Sequence, residues 1–257
     1  PETAVESPFG TTISWAVDSF PNPDTVSTAP VGTLSFTPVG TLSGVSLTGH
    51  HFDNTATTLW AVDNTAKTRG TIDLATGAYT SQGPITGIPG ANLRSFRFDT
   101  LDTGLVFLLD DSHLYHLDVA SGAATILAGP LNTVLFTGLA VSLDGVIYAY
   151  DGNSGGLYTI SREESGYDLI GPTGLTAFTV TLDVDTETGV LWAWARQASS
   201  LVLATVDTAT GAATPVTNGA EAQVRTSFRL PVPLIFEDGF ESEDLCEWSA
   251  QSGGSAC

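Results

Sequence analysis

Short runs of apolar and polar residues, about five to seven residues long, follow one another along most of this chain. The runs are rich in Val, Leu, Thr and aromatic residues, and turns of Gly, Asp, Asn and Ser separate them. This pattern predicts β-strands joined by tight turns. No stretch shows the 3.6-residue period of an amphipathic helix. We therefore expect an all-β protein.

One turn recurs at a nearly constant interval. Its glycines are Gly32, Gly77, Gly122, Gly166 and Gly211, at intervals of 45, 45, 44 and 45 residues. An aromatic residue in a short apolar strand precedes each turn. These aromatic residues are Trp15, Trp60, Phe107, Tyr148 and Trp192. Repetition at this length is typical of repeat architectures.

Each repeat holds four predicted strands, and an apolar strand such as LTGHHFD, LRSFRFD or FTVTLDVD opens the unit. Four-stranded sheets repeated around an axis are the blades of a β-propeller. The first unit lacks its opening strand and has strands around Trp15, near 25–28 and near 34–39. The chain later supplies a lone opening strand at 225–230. We therefore predict a five-bladed β-propeller whose ring is closed by N-terminal strands plus a C-terminal strand.

The repeat predicts three regions: an N-terminal extension (1–11), the propeller (12–236) and an acidic C-terminal tail (237–257). The tail contains both cysteines, Cys246 and Cys257. We expect a disulfide between them, with an intermolecular bridge or two free thiols as alternatives. A disulfide of either kind implies an oxidising compartment.

The chain carries 28 Asp and Glu against eight Lys and Arg, for a formal charge of −20. Nucleic acids and anionic lipid surfaces require clustered positive charge, so binding to either is not expected. No apolar run is long enough to span a bilayer, so membrane insertion is not expected. The absence of methionine favours a processed, exported chain.

Two resemblances accompany these patterns. The units LWAVD…TIDLATGAYTSQGP and LWAWA…TVDTATGAATPV resemble the repeat of bacterial secreted β-propellers, across residues 12–236. The segment FEDGFES at 236–242, followed by Trp248 and Ser249, is similar to a short C-terminal tail of exported bacterial proteins. Glu243 stands where that tail usually has glycine. The resemblances imply a bacterial protein that is secreted, extracellular or at the cell surface.

Two groups of residues are candidates for ligand binding. Asp183, Asp185 and Glu187 offer oxygen ligands at alternate positions and could bind calcium, although a solvated hairpin has the same composition. His51 and Arg97 each precede a phenylalanine in an opening strand, and we predict that they line the channel together with Arg229.

No catalytic residue is predicted. Ser154 lies in a GNSGG string that is similar to a nucleophile motif. That motif needs a strand, a sharp turn and a helix, whereas Ser154 falls in a predicted hairpin.

Two functions remain open. The first is a non-catalytic extracellular structural or adhesive protein that self-assembles into a homo-oligomer or filament through its terminal segments. The second is a glycan-binding or glycan-processing propeller, acting on cell-surface glycans at the mouth of its channel. An enzyme should concentrate acid, base and aromatic groups near the axis, whereas an assembly module should place its contacts on the rim and the terminal segments.

Overall fold

A computed structural model describes residues 13–18, 24–89, 92–102, 104–131, 134–162, 166–185, 187–198, 200–220 and 224–229. Within these residues every regular element is a β-strand. None of the described segments forms a helix with the length and apolar character needed to cross a membrane. Residues Thr12–Leu230 form a compact unit of their own.

In the described part of the chain, twenty strands build five antiparallel sheets. Blade I contains β1 (Ile13–Asp18), β2 (Thr25–Pro30) and β3 (Thr37–Thr41). Blade II contains β4 (Leu47–Phe52), β5 (Leu59–Asp63), β6 (Thr68–Ile72) and β7 (Tyr79–Pro84). Blade III contains β8 (Leu93–Phe98), β9 (Leu105–Asp110), β10 (Leu114–Asp118) and β11 (Ala124–Ala128). Blade IV contains β12 (Phe136–Val141), β13 (Ile147–Asp151), β14 (Gly156–Ile160) and β15 (Tyr167–Pro172). Blade V contains β16 (Thr179–Val184), β17 (Leu191–Arg196), β18 (Ser200–Val206) and β19 (Ala213–Ala220), and β20 (Val224–Arg229) follows it.

The last strand closes the ring. β20 pairs antiparallel with β1 and so completes blade I, whose strand order is β20-β1-β2-β3. The predicted five-bladed β-propeller, with this mode of closure, is confirmed. The fourth strand of blade I begins at Thr37 and not near Leu34, because Leu34 and Phe36 pack with Trp192 between blades V and I. The prediction for the start of that strand was therefore wrong by three residues.

The opening strands β20, β4, β8, β12 and β16 contact one another in a ring, which makes them the inner strands of the propeller. The hydrophobic core is divided among the five seams between neighbouring blades. Blade-on-blade packing therefore buries most apolar side chains and leaves the inner strands to line the axis.

Every outer strand carries a β-bulge at the same place. The extra residues are Val39, Gln82, Leu127, Ile170 and Val216. The residues immediately before them, which also share one register position, are Pro38, Ser81, Ile126, Leu169 and Pro215. The five outer strands thus share the position of the bulge.

Candidate functional site at the channel mouth

Arg97 fills the centre of the ring. Its side chain is buried, and Nη1 donates to the carbonyl oxygens of His50 at 3.1 Å and Phe96 at 2.8 Å. Nη2 donates to the carbonyl oxygen of Leu182 at 2.6 Å, and Nε lies 3.9 Å from Oδ1 of Asp183. The partners belong to β4, β8 and β16, and β8 and β16 are not neighbours in the ring. One guanidinium therefore connects strands across the axis.

The charge of this arginine is balanced locally. Burial lowers the pKa of Arg97, and the Asp183 carboxylate opposes that shift. Asp183 is itself almost fully buried, so neither charge is solvated by bulk water. Each is costly to bury alone, so the pair is stable only because the hydrogen bonds and the opposite charge are both present.

His51 lies beside this pair. Its Nδ1 is 2.8 Å from the carbonyl oxygen of Phe52, and its Nε2 is 3.4 Å from Oδ1 of Asp183. Both ring nitrogens are therefore directed at acceptors within the fold. The ring therefore lies between the backbone of β4 and the carboxylate of Asp183, at the wall of the pocket described next.

A pocket of about 210 Å³ opens at the ends of β4, β12 and β16. Its lining residues are His51, Phe52, Asp53, Asn54, Ala56, Thr100, Val141, Leu143, Asp183 and Val184. Half of these side chains are apolar, and the other half carry hydrogen-bonding groups. Pockets for small organic ligands usually measure about 300–1,000 Å³. This one is therefore the right size for a single small group, such as one ring of a larger ligand.

The register explains which residues meet at the axis. His51 pairs with Trp60, Arg97 with Phe107 and Asp183 with Trp192, so each lies opposite the aromatic residue that marks its repeat. In β20 the residue opposite Trp15 is Ser227, whereas Arg229 pairs with Ile13. The side chain of Arg229 lies outside the described part of the chain. Pairing with the repeated aromatic residues is a sequence signal that would have grouped Asp183 with His51 and Arg97.

The three residues predicted to bind calcium are not all directed at one point. Asp183 faces His51 and Arg97. Asp185 accepts the backbone N–H of Glu187 at Oδ1 and the hydroxyl of Thr188 at Oδ2, at 3.0 Å and 2.7 Å. In the residues that the structure describes, no three His, Cys, Asp or Glu side chains are grouped so as to hold a metal ion. Calcium binding stays a prediction.

Ser154 lies in the turn between β13 and β14, as the hairpin prediction requires. Its hydroxyl donates to Oδ2 of Asp151 at 2.6 Å. The backbone N–H of Gly155 donates to the carbonyl oxygen of Asp151 at 2.8 Å. These bonds give Ser154 a role in shaping the turn. The predicted disulfide partners Cys246 and Cys257, and both terminal regions, lie outside the described residues.

A second polar cluster joins blades III and IV. Arg162 makes a bidentate pair with Asp99, at 2.9 Å and 2.5 Å, and its guanidinium carbon lies 5.0 Å from the centre of the Phe107 ring. Burial opposes ionisation of Asp99, but the hydrogen bonds from Arg162 hold the pKa of that carboxyl below its usual value. Asp99 follows β8 of blade III and Arg162 follows β14 of blade IV, so their ion pair connects the two blades.

No protein-family model matches the chain, and no curated protein matches it either. Among solved structures, a chain in a crystal structure of a nidogen/laminin complex aligns with a TM-score of 0.59 at 12% identity, covering 86% of this chain and 99% of that one. A structural genomics protein of unknown function from Bacteroides thetaiotaomicron aligns with a TM-score of 0.52 at 15% identity, covering 80% and 54%. At such identities the likeness shows the fold alone. The chain is a β-propeller repeat protein.

Proposed function

We propose that this protein is a non-catalytic extracellular structural or adhesive propeller that self-assembles into a homo-oligomer or filament. The observation that carries the proposal is the position of exposed apolar side chains on the rim. Ile126, Leu169 and Val216 are 58%, 58% and 49% exposed, and they lie on the outer strands of three consecutive blades. Each of these side chains leaves apolar surface in water that contact with another protein would bury.

The centre of the ring supports the same proposal. Arg97 fills the axis with a guanidinium that is bonded to three carbonyl groups, and both nitrogens of His51 face acceptors. A centre built in this way makes the disc rigid. Rigid discs present fixed surfaces to a neighbour at little cost in conformational entropy.

The terminal regions complete the proposal as connectors between discs. Residues 1–11 and the acidic tail 237–257 are additional to the repeats that form the blades. A disulfide between Cys246 and Cys257 would restrict the tail, and a head-to-tail contact that does not close would produce a filament. Secretion from a bacterial cell accords with the two resemblances in the sequence.

The test is electron microscopy and sedimentation of the full chain beside a chain truncated after Phe236. We expect ordered oligomers or filaments from the full chain and their loss on truncation. A matched surface control is Leu143→Ser, which removes an equally exposed side chain at the channel mouth and should leave assembly unchanged. Isolated discs in every sample, at all concentrations, would contradict the proposal.

A second candidate function is glycan binding at the channel mouth. The pocket that contains His51, Asp183 and the exposed Leu143 favours it, because a small site with apolar walls and a few hydrogen-bonding groups suits one sugar ring. Screening of the protein against an array of surface glycans tests it. Binding that His51→Ala abolishes and Arg94→Ala retains would establish the pocket as the site.

A further inference from the structure

Arginine stands at only one of two equivalent positions in blades III and IV. His116 in β10 and Thr159 in β14 pair with the repeated aromatic residues of their own blades, so these two residues are equivalent. Three residues further along the chain are Val119 in blade III and Arg162 in blade IV. A short apolar side chain therefore stands in blade III where blade IV has a guanidinium group.

The contacts of Arg162 show what this position holds between blades III and IV. Its guanidinium makes the bidentate pair with Asp99 and lies over the Phe107 ring, and its Nε donates to the carbonyl oxygen of Gly145 at 2.6 Å. A carboxylate, an aromatic face and a carbonyl oxygen thus surround one cation. Such a set recognises the planar shape of a guanidinium as well as its charge.

Each of these contacts has a counterpart between blades II and III. The counterparts are identified by position: the residue after the opening strand, the repeated aromatic residue, and the glycine before the carbonyl that closes the first hairpin. For Asp99, Phe107 and Gly145 they are Asp53, Trp60 and Gly104. The chain therefore repeats the environment of Arg162 one seam earlier, without the arginine.

The counterparts line one pocket. A cavity of about 570 Å³ opens between blades II and III, which we call the seam pocket. Its lining includes Asp53, Trp60, Gly104 and Val119, together with Asp102 and Asp118. Ligand pockets usually measure about 300–1,000 Å³. The small side chain of Val119 thus leaves room for a group that the chain itself supplies in the next seam.

The carboxylates of the seam pocket can accept a cation. Three donors of its own turn bond to Asp53, and all of them bond to Oδ1, so Oδ2 is available to a ligand. Asp102 adds a second carboxylate. Hydrogen bonds from Ser121 lower the pKa of the third, Asp118, and the positive charge of Arg69 adds a smaller effect. The carboxylates of the pocket therefore outnumber this cation.

We propose that the seam pocket binds the guanidinium group of an arginine side chain in a basic peptide or protein. The guanidinium would pair with Asp53, lie over the indole of Trp60 and donate to the carbonyl oxygen of Gly104. A cation over an aromatic face gains most where water is partly excluded. The charge of −20 attracts a basic partner to the chain. This inference is independent of the proposed self-assembly, because the pocket lies within one chain.

Isothermal titration calorimetry with the peptide acetyl-Gly-Arg-Gly-amide, at low ionic strength, measures this binding. The matched peptide with lysine in place of arginine should bind about tenfold more weakly, since an ammonium cannot make the bidentate pair. Ethylguanidinium has the same head group without a peptide. Weaker binding of ethylguanidinium would support a peptide as the occupant, and equal binding would overturn that part of the proposal.

Asp53→Asn removes the charge and keeps an oxygen for the donors of its turn. The dissociation constant of the arginine peptide should rise about tenfold or more, because a hydrogen bond to a charged group is lost. Asp73→Asn is the matched control. Oδ1 of Asp73 also accepts two backbone N–H groups and a threonine hydroxyl, but Asp73 is not part of the seam pocket. Its affinity should equal that of the unmodified protein.

Val119→Arg supplies the missing group from within the chain. The new side chain should occupy the seam pocket as Arg162 occupies the next seam, and binding of the arginine peptide should be lost. Thr208→Arg is the control, because Thr208 has the equivalent position in blade V and Ser142 stands there in place of the aspartate. It adds the same charge and should leave binding unchanged. If Val119→Arg fails to fold, the two asparagine variants still decide.

Equal affinity of Asp53→Asn and Asp73→Asn for the arginine peptide would overturn the proposal. Unchanged binding by a folded Val119→Arg, or no binding by the unmodified protein at low ionic strength, would do the same. Equal affinity for the lysine peptide would replace guanidinium recognition with simple attraction of charge. None of these outcomes affects the proposed self-assembly, which truncation after Phe236 tests separately.

Discussion

Arg97 holds a positive charge inside the ring, where carbonyl groups of His50, Phe96 and Leu182 and the carboxylate of Asp183 surround it. In Arg97→Met the carbonyls lose their donors and Asp183 keeps a buried charge without its cation. Breaking a buried pair in this way costs about 3–5 kcal/mol. Urea unfolding of the variant should show a loss of that size.

Arg94→Met is the matched control for this prediction. Arg94 pairs with Asp111 at 2.5 Å, but both side chains are about one-third exposed. Exposed ion pairs contribute roughly 0–1 kcal/mol. Equal losses from the two variants would show that the axial arginine has no special role in stability.

His50 gives the fold a pH dependence. Burial lowers its pKa from 6.5 to about 3, and its Nε2 lies 3.2 Å from the carbonyl oxygen of Trp15. Between these two pKa values the unfolded chain binds a proton that the folded chain excludes, so stability falls as pH falls. The contribution is complete above about pH 6.5 and decreases by about 1.4 kcal/mol per pH unit below it.

Unfolding free energies measured between pH 4.5 and 6.5 check this expectation. His50→Gln keeps a donor for Trp15 and cannot titrate, so its stability should change less with pH in this range than that of the unmodified protein. Carboxylates such as Asp73, whose pKa is lowered by hydrogen bonds from Thr76 and Ala75, affect stability at lower pH. Parallel pH profiles for the two proteins would contradict the assignment to His50.

At the scale of elements, the repeated glycine turn of blades II and V is also a contact between blades. In blade II, Asp73 Oδ1 accepts the backbone N–H groups of Ala75 and Thr76, and the N–H of Gly77 bonds to the carbonyl of Asp73. Gly77 has a φ of 70° and packs on Gly40 in β3 of blade I. The same Asp-x-x-Thr-Gly turn in blade V packs on Gly171 of blade IV. At Gly77 and Gly211 the glycine found by its period therefore allows one blade to approach the next.

Gly40→Ala tests this close approach. A Cβ at Gly40 would lie 1.9 Å from the carbonyl oxygen of Thr76, which is backbone and cannot move without displacing the turn. Overpacking of this kind costs about 1–3 kcal/mol, and here the rigid neighbour favours the upper end. Thermal unfolding should show a clear decrease in midpoint. Gly166→Ala, where nothing lies within 4 Å of the added Cβ, should show none.

At the scale of the whole molecule, the repeat was enough to predict blade number and closure, because a constant period of strands and turns is a property of sequence alone. The start of β3 was missed because Leu34 and Phe36 fill the seam beside Trp192, and an apolar pattern does not distinguish a seam from a strand. The bulges were missed because one extra residue per outer strand leaves the period unchanged. The meeting of Arg97 with Asp183 required the register of two distant blades, which pairing with the repeated aromatic residues provides.

Closure by β20 should make the ring a single cooperative unit. β20 pairs with β1 and contacts both β4 and β16, so it joins the beginning of the ring to its end. Without β20, the backbone edge of β1 loses its partner strand, and the sides of β4 and β16 that contact β20 are exposed to water. In a chain truncated after Ala220 the free energy of unfolding should therefore fall by more than about 4–5 kcal/mol. The most severe single substitutions cause a loss of that size.

Calorimetry of three chains measures this effect. The full chain and the chain truncated after Phe236 should unfold in one sharp transition, because both keep β20. The chain truncated after Ala220 should unfold broadly and at lower temperature, and a peptide of residues 221–236 added in trans should restore part of the transition, since binding to the native form alone stabilises it. A sharp transition at an unchanged midpoint in the shortest chain would mean that packing between blades holds the ring closed without its last strand, and that the pairing of β20 with β1 contributes little.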